Sequence, residues 1–198
     1  MVRADSNIQT LDDLSGHTVS IGAEESGTER NATQILEFAG MPSSLVATKN
    51  LDYIEATKEL KAGDIDAFFC TAGLTTTVID ELSKECDIRL IPLTDTVISK
   101  MLESSLAYTS EVIPAGTYTG QTTDINTIGV KSVLITKADV SDDTIEQLTS
   151  LLFEKENEIS YSNSLKLELT YDFATDDIPI PFHDGAKRYY KACGYSTN

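Results

Sequence analysis

Residue types that often carry chemistry are scarce in this chain. Its 198 residues include no tryptophan and only two histidines, His17 and His183, so a histidine-based catalytic pair or metal cluster has almost no residues to draw on. The three cysteines, Cys70, Cys86 and Cys193, show no C-x-x-C pair and no zinc-ligand spacing. We predict neither a zinc site nor a disulfide framework, although the spacing leaves one bridge open.

Long hydrophobic runs are also absent. No stretch reaches the roughly 18 apolar residues that a transmembrane helix needs. The polar first residues lack the apolar segment of about 7–15 residues of a signal peptide, so we expect no signal peptide in this chain. The motifs G-x-S-x-G, G-x-x-x-x-G-K-[ST], G-x-G-x-x-G and H-E-x-x-H are missing as well. The sequence therefore predicts no catalytic residue, no metal site and no cofactor.

Basic residues are outnumbered. The chain has 15 Lys and Arg against 32 Asp and Glu, which gives a net charge of −17. Such a chain repels nucleic acids and anionic membrane surfaces, so neither is predicted as a partner. The acidic residues are scattered over many segments, which indicates a strongly solvated surface.

Short apolar runs alternate with helical patterns along the first 139 residues. The run Thr18–Gly22 is typical of a strand, and the spacing of Ala32, Ile35, Leu36 and Ala39 predicts a helix after it. Further strands are predicted at residues 65–71, 87–93 and 127–137, and further helices at residues 53–63, 76–85 and 95–104. This alternation indicates an α/β fold with an open, mostly parallel sheet flanked by helices.

The chain changes character after Asp139. A long helix is predicted from Ser141, an N-cap residue, to Ser160. Its predicted buried stripe is Ile145, Leu148, Leu152 and Ile159, and a last helix carries Ala186, Tyr189, Tyr190 and Cys193. No strand is predicted here, so we expect helices that lie against another surface. We accordingly divide the chain into residues 1–139 and 140–198.

Two turns follow predicted strands and open helices. In the first, Ser26 and Glu29 have the spacing of a capping box, which would need no ligand. The same turn could bind a carboxylate or phosphate, because a helix N-terminus offers free N–H groups and a positive dipole end. Ser26, Gly27 and Thr28 are therefore candidate ligand-binding residues, and the two interpretations are compatible.

The second turn adds candidates in the same crevice. Thr71, Ala72 and Gly73 follow a predicted strand, and ligands of open α/β sheets collect beyond the carboxyl ends of strands. A third candidate loop, residues 112–121, offers Tyr118, although an ordinary surface turn would look the same. His183, between two prolines and the last helix, is interpreted as a capping or packing residue.

These segments resemble a known family. The resemblance rests, in the order of the chain, on "TLDDLSGHTVSIGAEESGTERNATQILEFAG", "LKAGDIDAFFCTAG", "IPAGTYTGQTTDINTIGVKSVLIT" and "PIPFHDGAKRYY". Together they look like the TAXI-type solute receptors of TRAP transporters, which have the type II periplasmic-binding-protein fold. The resemblance implies two α/β lobes, ligand in the cleft between them, and a periplasmic or extracellular location for the full-length protein.

The resemblance also implies how this chain is organised. It corresponds to the second lobe with its hinge strands at residues 1–139, plus helices at residues 140–198 that normally pack on a first lobe. The N-terminal part of the family pattern is missing from this chain. We therefore expect ligand binding at about millimolar affinity, and pairing of two copies into a homodimer through the uncovered helical stripe.

The functional prediction is accordingly a binding protein rather than an enzyme. It captures a small organic anion, an amino acid such as glutamate or glutamine or a dicarboxylate, for the permease subunits of a TRAP transporter. Two alternatives are an enzyme on the same two-lobed scaffold and a ligand-sensing domain of a regulator.

Overall fold

The computed structural model describes residues 1–154 and 169–197. The chain divides into two compact units, Met1–Gly129 and Val130–Asn198. The division thus follows Gly129, whereas the sequence interpretation placed it after Asp139. Each unit has its own internal packing.

A five-stranded sheet forms the centre of the first unit. Its strands are β1 (Val2–Arg3), β2 (Thr18–Ser20), β3 (Ala47–Lys49), β4 (Ala67–Phe68) and β5 (Ile88–Arg89), in the order β3-β2-β4-β1-β5. Strand β2 is parallel to β3 and β4, and β1 is antiparallel to β4 and β5. All strands except β1 therefore run in one direction, which confirms the predicted mostly parallel sheet.

Helices cover both faces of this sheet. They are α1 (Gly27–Phe38), α2 (Tyr53–Ala62), α3 (Thr77–Glu85) and α4 (Asp95–Ser104). Ala67 packs in a cluster with residues of α1 and α4, and its neighbour Phe68 packs in a second cluster with residues of α2 and α3. Successive strand residues point to opposite faces, so β4 anchors both helical layers. The predicted α/β class and flanking helices are confirmed.

The ends of these helices follow local sequence signals. Ser26 caps α1 and accepts a hydrogen bond from the Glu29 N–H. Gly63 ends α2 in the left-handed conformation at φ 81°, where glycine has no Cβ penalty. In α4, Val97, Ile98 and Met101 are buried, whereas Leu102 is 36% exposed.

The predicted strand at residues 65–71 is much shorter than expected. Strand β4 includes only Ala67–Phe68, although it does lie centrally, between β2 and β1. The Phe69 N–H still donates to Ser20 O. The backbone of Thr71 instead bonds to the side chain of Tyr53, which ends the ladder.

The predicted strand at residues 127–137 is also shorter. A two-stranded sheet joins β6 (Tyr108–Ile113), which was not predicted, to β7 (Ile125–Val130). In the described part of the chain, no strand pairs with residues 131–137, and Leu134 and Ile135 are 69% and 73% exposed. The apolar run indicated burial, but none of the strands in residues 1–154 and 169–197 pairs with it.

The second unit is helical where it is described. Its helices are α5 (Asp142–Glu154), α6 (Tyr171–Thr175) and α7 (Asp184–Ala192). Ser141 accepts from the Thr144 N–H, as expected of an N-cap. His183 also acts as predicted, because its Nδ1 accepts from the Gly185 N–H at the start of α7. The unprotonated Nδ1 leaves the proton on Nε2, which lies 3.1 Å from the Val140 carbonyl oxygen.

The predicted stripe of α5 is only partly buried. Ile145 is buried, but Leu148 is 40% exposed, and Thr149 is buried in its place. Leu152 is half-buried, and Ile159 lies outside the described residues. Helix α7 packs on α5. At this contact the Phe153 ring stacks on Tyr171 and Tyr189 and meets Tyr190 edge to face. No helix in the described ranges is both long enough and apolar enough to span a bilayer.

A buried serine in β2 gives a stability prediction. Ser20 is 0% exposed, and its Oγ has no hydrogen-bond partner within the described ranges. We expect Ser20→Ala to leave the free energy of unfolding unchanged or to raise it by up to about 1 kcal/mol, because an unsatisfied buried hydroxyl is removed. Urea denaturation measures this.

The matched control is Ser83→Ala. Ser83 is equally buried, but its hydroxyl donates to Asp80 O and accepts from the Thr119 N–H. This variant should lose about 0.5–1.5 kcal/mol for each hydrogen bond, because it removes both bonds of a buried hydroxyl. Equal losses in both variants would contradict the prediction and show that the Ser20 hydroxyl is bonded.

Candidate functional site

The candidate site lies where three neighbouring strands end. Strands β3, β2 and β4 are adjacent and parallel, so their carboxyl ends meet at one edge of the sheet. Strand β2 leads into α1, β3 leads into α2, and β4 leads into a loop before α3. Such an edge is the usual ligand position in open α/β sheets.

The turn from β2 into α1 is tightly built. Gly22 has φ 101°, and a Cβ on it would lie 2.7 Å from Thr28 Cβ, so this position requires glycine. The Glu29 carboxylate accepts from the Glu25 N–H at 2.6 Å and from Asn50 Nδ2 at 2.8 Å. Only one half of the predicted capping box is therefore present. Ser26 caps the helix as predicted, but the Glu29 side chain accepts from the Glu25 N–H instead of the Ser26 N–H.

This cap leaves two donors of α1 unused. Across residues 1–154 and 169–197, the N–H groups of Gly27 and Thr28 form no hydrogen bond. They occupy the first two positions of the helix, where the dipole favours negative charge. The turn therefore caps the helix and still leaves two N–H donors available for a ligand.

A hydrogen-bond network joins the two predicted turns through Tyr53. Thr28 is 6% exposed, and its Oγ1 lies 2.7 Å from the Tyr53 hydroxyl. The same hydroxyl donates to Thr71 O at 2.8 Å and accepts from the Thr71 N–H at 3.1 Å. Asn31 Nδ2 donates to Thr71 Oγ1 at 3.3 Å. The structure thus brings Thr28 and Thr71 together.

The network continues along α1. The Tyr108 hydroxyl lies 2.9 Å from Asn31 Oδ1 and 3.0 Å from Gln34 Oε1. Burial raises the pKa of Tyr108, and the nearby positive charge of Arg30 opposes that rise. The edge of the sheet is therefore lined by hydroxyl and amide groups.

The remaining predicted residues lie in two different environments. Ala72 and Gly73 are exposed in the loop after Thr71. Tyr118 lies in the core, 5% exposed, with its ring in the cluster around Phe68. Burial raises the pKa of Tyr118, and backbone hydrogen bonds from Thr76 and Thr75 oppose that rise. Tyr118 thus lies in the core and contacts the two residues that precede α3.

An open cavity of about 700 Å³ follows one face of α1. It is lined by Glu25, Ser26, Glu29, Arg30, Thr33, Gln34 and Glu37. Among the predicted site residues only Ser26 lines it, and Gln34 links it to the network. Three carboxylates against one guanidinium make the lining acidic.

Tyr53, Asn31 and Arg30 were not identified from the sequence. Tyr53 is the first residue of α2, and the three-residue strand β3 before it was not predicted. A strand predicted at residues 47–49 would have marked this third turn.

No cluster of three or more His, Cys, Asp or Glu residues capable of holding a metal ion occurs within the described ranges.

Comparison with known proteins gives similarities of two kinds, to solved structures and to a protein family. One solved structure, the periplasmic aliphatic sulphonate-binding protein SsuA from Escherichia coli, is similar with 17% sequence identity and a TM-score of 0.47. The similarity covers 79% of this chain, which spans only 42% of that protein. The sequence also matches the NMT1-like family over residues 1–194, which is nearly its whole length. The chain therefore belongs to the NMT1-like family.

Proposed function

We propose that this chain is a ligand-binding lobe of an extracytoplasmic solute receptor. It captures a small organic anion and delivers it to the permease subunits of a transporter, of the TRAP type that the TAXI resemblance implies. The observation that carries the proposal is the pair of free N–H donors of Gly27 and Thr28, beside the hydroxyl network at the edge of the sheet. A carboxylate can accept from both N–H groups at once.

The charges around α1 favour one class of anion. Glu25, Glu29 and Glu37 line the cavity together with Arg30. A dicarboxylate would place its second negative charge near these carboxylates, and like charges repel. An amino acid would place its carboxylate at the N–H groups and its ammonium toward the carboxylates. We therefore propose an amino acid in preference to a C4-dicarboxylate, and glutamine in preference to glutamate, because the side-chain carboxylate of glutamate meets the same repulsion.

Exposed apolar side chains on the helices of the second unit support the proposal that another surface packs against these helices. Leu148, Leu151 and Phe173 are 40%, 49% and 50% exposed. Leu148 and Leu151 are three residues apart on α5 and so share one face of that helix, and exposed apolar faces are typical of interaction surfaces. We propose that residues 140–198 pack on another lobe of the receptor, and that two copies of this chain pair through them in isolation.

Calorimetric titration tests the binding function. Glutamine, glutamate and succinate are titrated into the protein, and light scattering of the same samples reports whether it is dimeric. We expect a dissociation constant of about 1 mM for an amino acid and weaker binding of succinate. Succinate binding more tightly than both amino acids would contradict the charge argument, and a monomer would contradict the pairing.

Gly27→Pro provides a specific variant for the same titration. Proline lacks the N–H but is well tolerated at the first position of a helix, and Ser26 already has the extended backbone, at ψ 160°, that precedes proline. Removing one donor to a carboxylate should weaken binding by about tenfold or more. Asp95→Pro, at the first position of α4 after the extended Thr94, is the matched control and should bind like the original chain. Unchanged affinity in Gly27→Pro would refute the site.

A further inference from the structure

The Tyr53 hydroxyl forms hydrogen bonds with both predicted turns. Its oxygen lies 2.7 Å from Thr28 Oγ1, which belongs to the turn after β2. It also lies 2.8 Å from the carbonyl oxygen and 3.1 Å from the nitrogen of Thr71, which belongs to the loop after β4. Tyr53 itself follows β3, so its side chain links the ends of three adjacent strands.

These contacts use the full hydrogen-bonding capacity of the hydroxyl. A phenol has one proton to donate and two lone pairs to accept with. The proton goes to Thr71 O, so the Thr71 N–H and the Thr28 hydroxyl must both donate to Tyr53. The proton and both lone pairs of the hydroxyl are therefore used within the protein, and none is left to bind a ligand. The hydroxyl instead binds Thr28 and Thr71.

The backbone of Tyr53 is held in place independently of this network. Asp52 and Glu55 form a complete capping box, in which each side chain accepts from the backbone N–H of the other. The capping box fixes the first turn of α2, where Tyr53 lies. Burial raises the pKa of Tyr53, and the hydrogen bond from Thr28 opposes that rise.

We infer that Tyr53 is a positioning residue, which holds the loop Thr71–Gly73 beside the free N–H groups of α1. Without the hydroxyl, the Thr71 N–H and carbonyl lose their partner, and among the described residues Asn31 remains as the only side chain with a hydrogen bond to Thr71. The effect on a ligand rests on the proposed function, whereas the effect on the loop does not.

Tyr53→Phe tests the inference because it keeps the ring and removes only the hydroxyl. Amide hydrogen exchange of the ligand-free protein is followed by NMR. We expect the Thr71 amide to exchange about tenfold faster or more, since its acceptor is removed, while the amides of Ala32–Leu36 in α1 stay protected and report an intact fold. Tyr108→Phe is the control, because that hydroxyl contacts Asn31 and Gln34 but not the loop. It should leave the Thr71 amide unchanged.

The outcomes separate the inference from the proposed function. Unchanged exchange of Thr71 in Tyr53→Phe, or equal acceleration in Tyr108→Phe, would overturn the inference. If no amino acid binds the original chain, the proposed function fails, and the exchange data still decide the positioning role. Where an amino acid does bind, its affinity should fall by about tenfold in Tyr53→Phe. Undiminished affinity with a loosened loop would overturn the role in binding.

Discussion

Phe68→Ala is expected to lower the free energy of unfolding by about 3–5 kcal/mol. The ring is 1% exposed and lies in the central strand β4, against a cluster that includes Leu60, Ile79 and Leu82. Removing it takes away the apolar contacts of the ring and leaves a cavity between the sheet and the helices α2 and α3. The neighbouring backbone cannot fill that cavity, because β4 is paired with strands on both sides.

Urea denaturation followed by far-ultraviolet circular dichroism measures this loss. Phe173→Ala is the matched control, since that ring is 50% exposed. Its contact with the Lys131 ammonium, 4.7 Å from the ring centre, is worth about 0.5–1 kcal/mol at an exposed site. A loss under about 1 kcal/mol in Phe68→Ala would show that the ring is peripheral.

Gly185→Ala is expected to destabilise the second unit by about 3 kcal/mol. A Cβ at this position would lie 2.2 Å from the carbonyl oxygen of Asp142, which is backbone in the first turn of α5. Helices α5 and α7 would have to separate, and the Phe153 ring would move away from Tyr189, on which it stacks, and from Tyr190, which it meets edge to face. In an open helical position the same change usually stabilises, by roughly 0.5–1 kcal/mol.

Gly27→Ala supplies that open position. A Cβ there meets no atom within 4 Å, so this variant should be as stable as the original chain or slightly more stable. Tyrosine signals in the near-ultraviolet circular dichroism follow the packing of the second unit during thermal unfolding. If Gly185→Ala unfolds at the same temperature as Gly27→Ala, the helices adjust without cost and the prediction is refuted.

The sequence predicted those features that depend on neighbouring residues. Ser26, Gly63 and Ser141 end or begin helices as expected, because capping requires only a few residues on either side. The alternation of strands and helices likewise predicted the α/β class. These signals are local, and the physical interactions that produce them are local too.

Features that depend on distant partners were predicted less well. The apolar run at residues 131–137 favours a strand, but a strand requires a neighbour, and the run itself contains no information about one. Thr71 looked like a strand residue, yet its backbone bonds to Tyr53, which is far away in sequence. Strand length therefore depended on contacts that periodicity does not report.

The candidate site shows the same division. The helix N-terminus at Ser26 and Gly27 was predicted from a short turn, and the structure leaves its donors unused. Tyr53 was missed because its role comes from spanning three strand ends. Tyr118 was predicted as a polar group in a loop, whereas its ring lies in the core. A tyrosine has both an apolar ring and a polar end, and the sequence alone does not tell which one decides its position.

The position of β1 determines the order in which this sheet can form. Val2 pairs with Ala67 and also with Arg89, so the first strand of the chain lies between two strands that follow it much later. On the ribosome, Val2 and Arg3 emerge well before both of their partner strands and stay without them until residues through Arg89 have been synthesised. Strands β2, β3 and β4 can pair among themselves earlier. Closing such long loops slows folding, and completion of the sheet by β1 is therefore a late event.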